Sequence, residues 1–331
     1  MTDSAPAISA TGLKVHFKTA RGLVRAVDGV DLEIAQGTFH GIVGESGCGK
    51  TTLARAVVGL QNATEGKVSI LGRDRAEWQS ADRKDFARTV QFIFQDPLGS
   101  MSRRQTVAQT LAEPLQIHGL GNAAARAARI QELLSLVALP ESVLDRLPRS
   151  LSGGQRQRVS IARALALNPK ILVCDEPLSA LDVSVRAQIV NLFAKLREQL
   201  GLTIVIVAHD LAIVREVCTD VTVMYLGKIA EQGVARALFD APAHPYSQAL
   251  LSAVPSPNPR IEKTRPRVLL TGDPPSPLNP PKGCHFSTRC PVAIDRCHFE
   301  EPALITAPHG GQAACHLVDA TTRPVLETQA A

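Results

Sequence analysis

Short unbroken apolar runs and helically spaced apolar positions take turns along this chain, and their order predicts the fold class before any motif is considered. Ile171-Leu172-Val173-Cys174, Ile204 to Ala208 and Val221-Thr222-Val223-Met224 are brief and rich in β-branched residues, the pattern of strands covered on both faces in a parallel sheet. A fourth run, His40-Gly41-Ile42-Val43, leads into a glycine-rich turn and then into the helical stretch Thr52-Leu53-Ala54-Arg55-Ala56-Val57. Residues 11 to about 75 otherwise read as short strands, the last being Gly66-Lys67-Val68-Ser69-Ile70 before Gly72. From about 96 to 165 helix formers take over, as in Ala123-Ala124-Ala125-Arg126-Ala127-Ala128-Arg129-Ile130-Gln131-Glu132-Leu133-Leu134, which predicts a helical insertion. Strands alternating with helices give an α/β domain with a mainly parallel sheet.

The ends of the chain read differently. Residues 1–10 are polar and small and are expected to form a flexible tail, leaving 11–254 as one domain. Nine prolines between Pro255 and Pro281 exclude a continuous helix or central strand, so 255–331 is expected to be an extended linker followed by a small cysteine-bearing extension. There is no internal repeat.

At 331 residues and 45% apolar content the chain suits about two domains with a sizeable core, which excludes disorder throughout. The net charge of +5 is interspersed, and one Trp with two Tyr argues against a stacking surface for single-stranded nucleic acid. No charged-then-apolar leader opens the sequence, and the apolar segment Leu202 to Ala208 falls far short of the roughly 20 residues a membrane span needs. A cytosolic protein is expected, reaching a membrane through partners.

The glycine-rich turn carries the chemistry. Gly44-Glu45-Ser46-Gly47-Cys48-Gly49-Lys50-Thr51 fits the P-loop pattern, in which successive backbone N–H groups cradle phosphates at a helix N-terminus. Gly44, Ser46, Gly47, Cys48 and Gly49 would form the cradle, with Thr52 in the first helical turn; Lys50 would reach the outer phosphates and Thr51 would hold Mg²⁺. Downstream, the run ending at Cys174 is followed by Asp175 and Glu176, an acid pair in which the first can hold Mg²⁺ and the second can polarise a water. Without the P-loop, that pair would read as a solvated turn or helix cap.

Leu151-Ser152-Gly153-Gly154-Gln155, ahead of the helical Arg156 to Leu165, then resembles the signature of ATP-binding cassette (ABC) ATPases. Its glycines and Ser152 make physical sense as a second phosphate-binding helix N-terminus. The resemblance covers residues 11 to about 320 and implies a RecA-like core, an N-terminal antiparallel β subdomain, a helical signature subdomain and a small irregular C-terminal extension. It also implies roles for residues that would be bland alone. Gln95 resembles the glutamine that senses Mg²⁺ and the attacking water, Asp182 in Ser179-Ala180-Leu181-Asp182 resembles the D-loop aspartate, and His209 resembles the switch histidine that contacts the γ-phosphate. Glu176, His209, Gln95 and Lys50 form the implied catalytic group, and Ser152, Gly153, Gly154, Gln155 and Asp182 join the nucleotide contacts. Phe17 is either the aromatic that stacks on adenine or a core residue. With one cassette per chain, the family pattern implies that two chains close over each ATP.

Within the family, Ala26-Val27-Asp28-Gly29-Val30 and Ala243-His244-Pro245-Tyr246-Ser247-Gln248-Ala249-Leu250-Leu251 resemble importers of the dipeptide and oligopeptide group. That implies two transmembrane permease subunits, a second, related ATPase subunit and, indirectly, an extracytoplasmic solute-binding protein, with the chain docked at the cytoplasmic face of the plasma membrane. Cys284, Cys290, Cys297 and Cys315 read as a metal site or as four ordinary thiols; the spacing lacks the CxxC pair of a zinc ribbon. Similar importer ATPases carry a [4Fe–4S] cluster, and the resemblance favours it over zinc. Cys48, Cys174 and Cys218 read as packing residues, Cys218 within a helix. Ser100-Met101-Ser102-Arg103-Arg104-Gln105 departs from the Asn-Pro-Arg usual after the family's glutamine, at a segment expected to meet the permease. The rival function is a soluble ABC ATPase acting on nucleic acid or ribosomes.

Overall fold

Strands form where the apolar runs predict them, and helices where apolar residues recur at helical spacing. The N-terminal part contains β1 (Ile8–Thr19), β2 (Gly22–Ile34), β3 (Phe39–Val43), α1 (Lys50–Val57), β4 (Glu65–Ile70), β5 (Arg73–Asp74), α2 (Arg83–Thr89) and β6 (Val90–Ile93). Three helices follow, α3 (Val107–Ile117), α4 (Ala123–Leu136) and α5 (Gly153–Leu165). Next come β7 (Ile171–Asp175), α6 (Val183–Leu200), β8 (Thr203–Val207), α7 (Leu211–Val217), β9 (Asp220–Tyr225), β10 (Lys228–Val234), α8 (Ala235–Asp240) and α9 (Pro245–Ser252). Near the C-terminus lie α10 (Arg296–Phe299), β11 (Ile305–Thr306) and β12 (Gln312–Ala313). This computed structural model describes residues 5–78, 82–254, 268, 270 and 272–326. Residues 1–4 of the expected tail, and 255–267, 269 and 271 of the expected linker, lie outside the described residues.

The chain divides into two units. The first comprises Met1–Ala7, Ala35–Phe39 and Leu71–Val207. Here β6, β7 and β8 pair in parallel, Val90 opposite Ile171 and Ile171 opposite Thr203. Adjacent residues of each strand, Leu172 and Val173, Ile204 and Val205, are buried, as both-face burial in a parallel sheet requires. On α6 the buried stripe Ile189, Val190, Phe193 and Leu196 has helical spacing, and the Phe193 ring meets Phe39 edge-on. Helices α3 and α4 begin at side-chain caps. Thr106 and Gln109 make a reciprocal capping box on α3, and the Asn122 side chain accepts from Ala125 N–H on α4.

The second unit comprises Ile8–Ile34, His40–Ile70 and Ala208–Ala331. In it β1 pairs antiparallel with both β2 and β4, and β3 pairs in parallel with β9, Ile42 opposite Thr222. The antiparallel strands β10, β12 and β11 continue from β9. The fold class is therefore α/β, with an antiparallel β subdomain and parallel core strands. The tail expected to reach residue 10 ends sooner: β1 starts at Ile8, which pairs with Ile34 on one side and Ile70 on the other and is fully buried. Among the described residues no helix is long and apolar enough to cross a membrane.

Candidate functional site

The second unit holds the glycine-rich loop, between β3 and α1. Two of its glycines are required by close backbone approach. A Cβ on Gly44 would stand 2.2 Å from the Met224 carbonyl oxygen; one on Gly49, where φ is +107°, would stand 2.0 Å from the Ala26 carbonyl oxygen. Gly49 is also the N-cap of α1, so the loop ends where a helix N-terminus presents its N–H groups. Lys50 is buried, and its Nζ donates to the carbonyls of Gly44 and Glu45, both at 2.8 Å. Ser46 and Gly47 are exposed at the loop crest, whereas Cys48 is buried beneath it, where burial pushes its thiol pKa up. Thr51 and Thr52, in the first turn of α1, are half-buried. His209 is exposed one residue before Asp210, whose carboxylate caps α7. Phe17, on β1, is 37% exposed, which removes the core reading of that residue.

In the first unit β7 delivers Asp175, fully buried, and then Glu176. Glu176 has φ +45°, a left-handed conformation a non-glycine residue adopts at a cost of about 1–3 kcal/mol and which is often kept at functional sites. Its own N–H donates to the Val207 carbonyl at 3.0 Å, which pins the turn to β8. Gln95 Nε2 donates to Glu176 Oε2 at 2.9 Å, so tertiary structure joins two expected catalytic residues 81 positions apart. Ser152 and Gln155 form the capping box of α5, each satisfying the other's backbone N–H. Gly154 has a second reason to be glycine: a Cβ there would lie 2.7 Å from Val185 Cγ1. Asp182 is the N-cap of α6.

The cluster expectation for the cysteines finds no support. Among the described residues, no group of three or more His, Cys, Asp or Glu is placed to hold a metal ion. Cys284, Cys290, Cys297 and Cys315 are free thiols, the first two half-buried and the last two buried, and burial pushes Cys284 up to about 12 and Cys290 up to about 11. Cys315 packs with Ala243, Ala307, Ala313 and Val318 in a small apolar cluster, a role sequence spacing alone does not reveal. The four thiols nevertheless lie close enough to act on one another: Cys297, Cys290 and Cys315 each add to the rise at Cys284. Cys218 also moves from its expected place: α7 ends at Val217 and Cys218 caps it.

Sequence reasoning missed two contacts to the loop. The Tyr246 hydroxyl accepts from Glu45 N–H at 2.8 Å, and Arg289 NH1 donates to Glu45 Oε2 at 2.8 Å. No local signal points to either, because Glu45 and Arg289 are 244 residues apart.

A glycine loop on a helix N-terminus, a strand ending in two acids and a capped signature helix define a nucleotide-hydrolysing cassette. Residues 27–179 match the family model for ABC transporters, and the chain belongs to that family as an ATP-binding ATPase. Residues 230–297 match a second model, the C-terminal region of oligopeptide/dipeptide transporters. The chain is 46% identical to the putative oligopeptide transport ATP-binding protein YkfD of Bacillus subtilis, over 94% of this chain and 95% of that one. It is 45% identical to the oligopeptide transport ATP-binding protein OppF of Salmonella typhimurium, over 88% and 90%. Among solved structures it is similar to the ATP-binding cassette MJ0796, a dimer in a post-hydrolysis state bound to ADP and Pi. That match has a TM-score of 0.64 at 31% identity and covers 69% of this chain and 99% of MJ0796. The cbiO1 protein of Clostridium perfringens, part of the ABC transporter complex cbiONQ, matches at the same TM-score with 26% identity, over 72% and 92%.

Proposed function

We propose that this chain is the ATP-hydrolysing subunit of a peptide-type ABC importer, docked on two permease subunits at the cytoplasmic face of the membrane. A second, related ATPase subunit would complete the machine, and the solute would be delivered by a separate binding protein. Family membership and the C-terminal oligopeptide/dipeptide region support this reading over action on nucleic acid. The Ser100 to Gln105 segment is the proposed permease contact; Arg163 anchors its start through the Ser100 carbonyl at 2.7 Å and also pairs with Glu113.

The proposed chemistry follows from the side chains. The loop Gly44 to Gly49, with Lys50, Thr51 and Thr52, binds the phosphates; Phe17 stacks on adenine. Glu176 orients and deprotonates water for attack on the γ-phosphorus, and the bond to the bridging oxygen of ADP breaks, giving ADP and phosphate. Gln95, already bonded to that carboxylate, holds it in place and releases it as the water arrives. His209 contacts the γ-phosphate, and Lys50 stabilises charge on the transferred group. Magnesium, when bound, neutralises phosphate charge; Thr51, Asp175 and Gln95 offer the hard oxygen donors it takes. In the pair, Ser152 to Gln155 and Asp182 of one chain would close over nucleotide held by the other. No step passes through the cysteines.

The Gln95–Glu176 hydrogen bond carries the catalytic assignment, since it sets a carboxylate and a polar sensor side by side at a strand end. Glu176→Gln should preserve ATP binding and lower turnover at least about 100-fold, the scale of general-base loss. Unchanged phosphate release by purified protein would remove Glu176 from the mechanism.

A further inference from the structure

A phosphate-binding loop that carries a carboxylate faces an electrostatic problem. Glu45 occupies the second position of the loop, and its negative charge opposes the highly negative ligand the loop is proposed to take. The C-terminal segment supplies the counter-charge. Arg289 NH1 sits 2.8 Å from Glu45 Oε2; the arginine side chain is only 8% exposed, whereas Glu45 is 28% exposed and stays open to solvent ions.

The arginine is itself held. Its guanidinium carbon lies 6.0 Å from the Tyr225 ring centroid, and NH1 also donates to the Tyr225 hydroxyl at 3.4 Å. Tyr225, Tyr246 and Phe286 pack mutually, with ring centroids 4.7 to 5.5 Å apart. Tyr246 reaches from that cluster to the Glu45 N–H, while the Glu45 carbonyl accepts from Lys50 Nζ and from Cys48 N–H. Glu45 is thus fixed at its amide, its carbonyl and its carboxylate, two of the three by residues beyond 220.

We propose that Arg289 is a positioning residue of the phosphate-binding loop: it cancels the charge of Glu45 and, together with the Tyr246 hydroxyl, holds the loop open for a nucleoside triphosphate. The C-terminal region is then part of the nucleotide site as well as an appendage to it. This rests on the reading of Gly44 to Thr51 as the phosphate site. Because the effect is electrostatic, it scales with ligand charge and fades with salt, which loss of packing would not do.

The test is equilibrium binding of ATP and ADP to purified full-length protein at low and high salt. Arg289→Gln should weaken ATP on the order of ten-fold at low salt, and ADP less, with the deficit shrinking as salt rises. Arg289→Lys should recover part of the loss. The double variant Glu45→Gln/Arg289→Gln should return close to the parent, because the uncompensated charge is gone. Equal affinities for parent and Arg289→Gln, or a loss that Glu45→Gln does not relieve, would overturn the proposal. If Arg289→Gln does not fold, Glu45→Gln decides alone: it should bind ATP several-fold more tightly through the now unopposed Arg289, and weaker binding refutes the role. A parent protein that binds no ATP would instead defeat the reading of the loop itself.

Discussion

Glu231 is fully buried on β10, and its carboxylate collects three donors from separate parts of the second unit. Oε1 accepts from Ala243 N–H at 2.7 Å and from His309 Nε2 at 2.8 Å, and Oε2 accepts from His244 N–H at 3.0 Å. His309 Nδ1 accepts from Gly311 N–H, so the ring proton is on Nε2 and points at the carboxylate. Glu231→Gln preserves the shape and removes one acceptor. In the better amide orientation the oxygen keeps two donors, and the NH₂ is set against the third N–H. Leaving that donor unsatisfied and replacing two charge-assisted bonds by neutral ones should destabilise the protein by about 3–5 kcal/mol. A fall in melting temperature of about 4–7 °C follows for a chain of this size. The turn that Glu231 fixes contains His244, the cap of α9, and hence sets the position of Tyr246 under the phosphate loop. Thermal melting by circular dichroism, with nucleotide affinity measured below the transition, checks both effects. A midpoint within 2 °C of the parent, about 1 kcal/mol or less, would show that the three-donor account is wrong.

Two further outcomes follow from the geometry. Gly49→Ala places a methyl on the Ala26 carbonyl and demands a left-handed alanine, so nucleotide binding measured with a fluorescent ATP analogue should be lost; retained affinity would contradict the close approach. His40 and His244 are buried, which holds each at about 4 in place of the ordinary 6.5. The unfolded chain takes up these protons below pH 6.5 and the folded chain only near 4. Stability is therefore full above 6.5 and falls between the two, by about 3 kcal/mol per histidine at most. Urea unfolding at pH 7 and pH 5 reads this directly, and a midpoint that does not drop would refute the neutral burial of both rings.

Much of the cassette was legible because its signals are local. The glycines of the loop, the strand before it, the acid pair after Cys174 and the Ser152–Gln155 cap each involve residues within a few positions of one another. The tail was misjudged at Ile8, since small polar neighbours hide a residue whose burial depends on two strands arriving later in the chain. The cysteines are hard to read for a related reason. Spacing states how many thiols there are, while their packing, such as the apolar cluster around Cys315, is settled only by the fold.

The strand and helix alternation, the phosphate-loop chemistry and the place of Glu176 at a strand end are written locally in the chain, because periodicity, glycine conformation and capping act over a few residues. Which carboxylates are compensated, and by what, was settled by the fold: Arg289 pairs with Glu45, and a neutral His309 with two backbone amides hydrogen-bonds Glu231. Such pairings join residues tens to hundreds of positions apart. They exist only after packing has excluded water and made an unpaired charge costly.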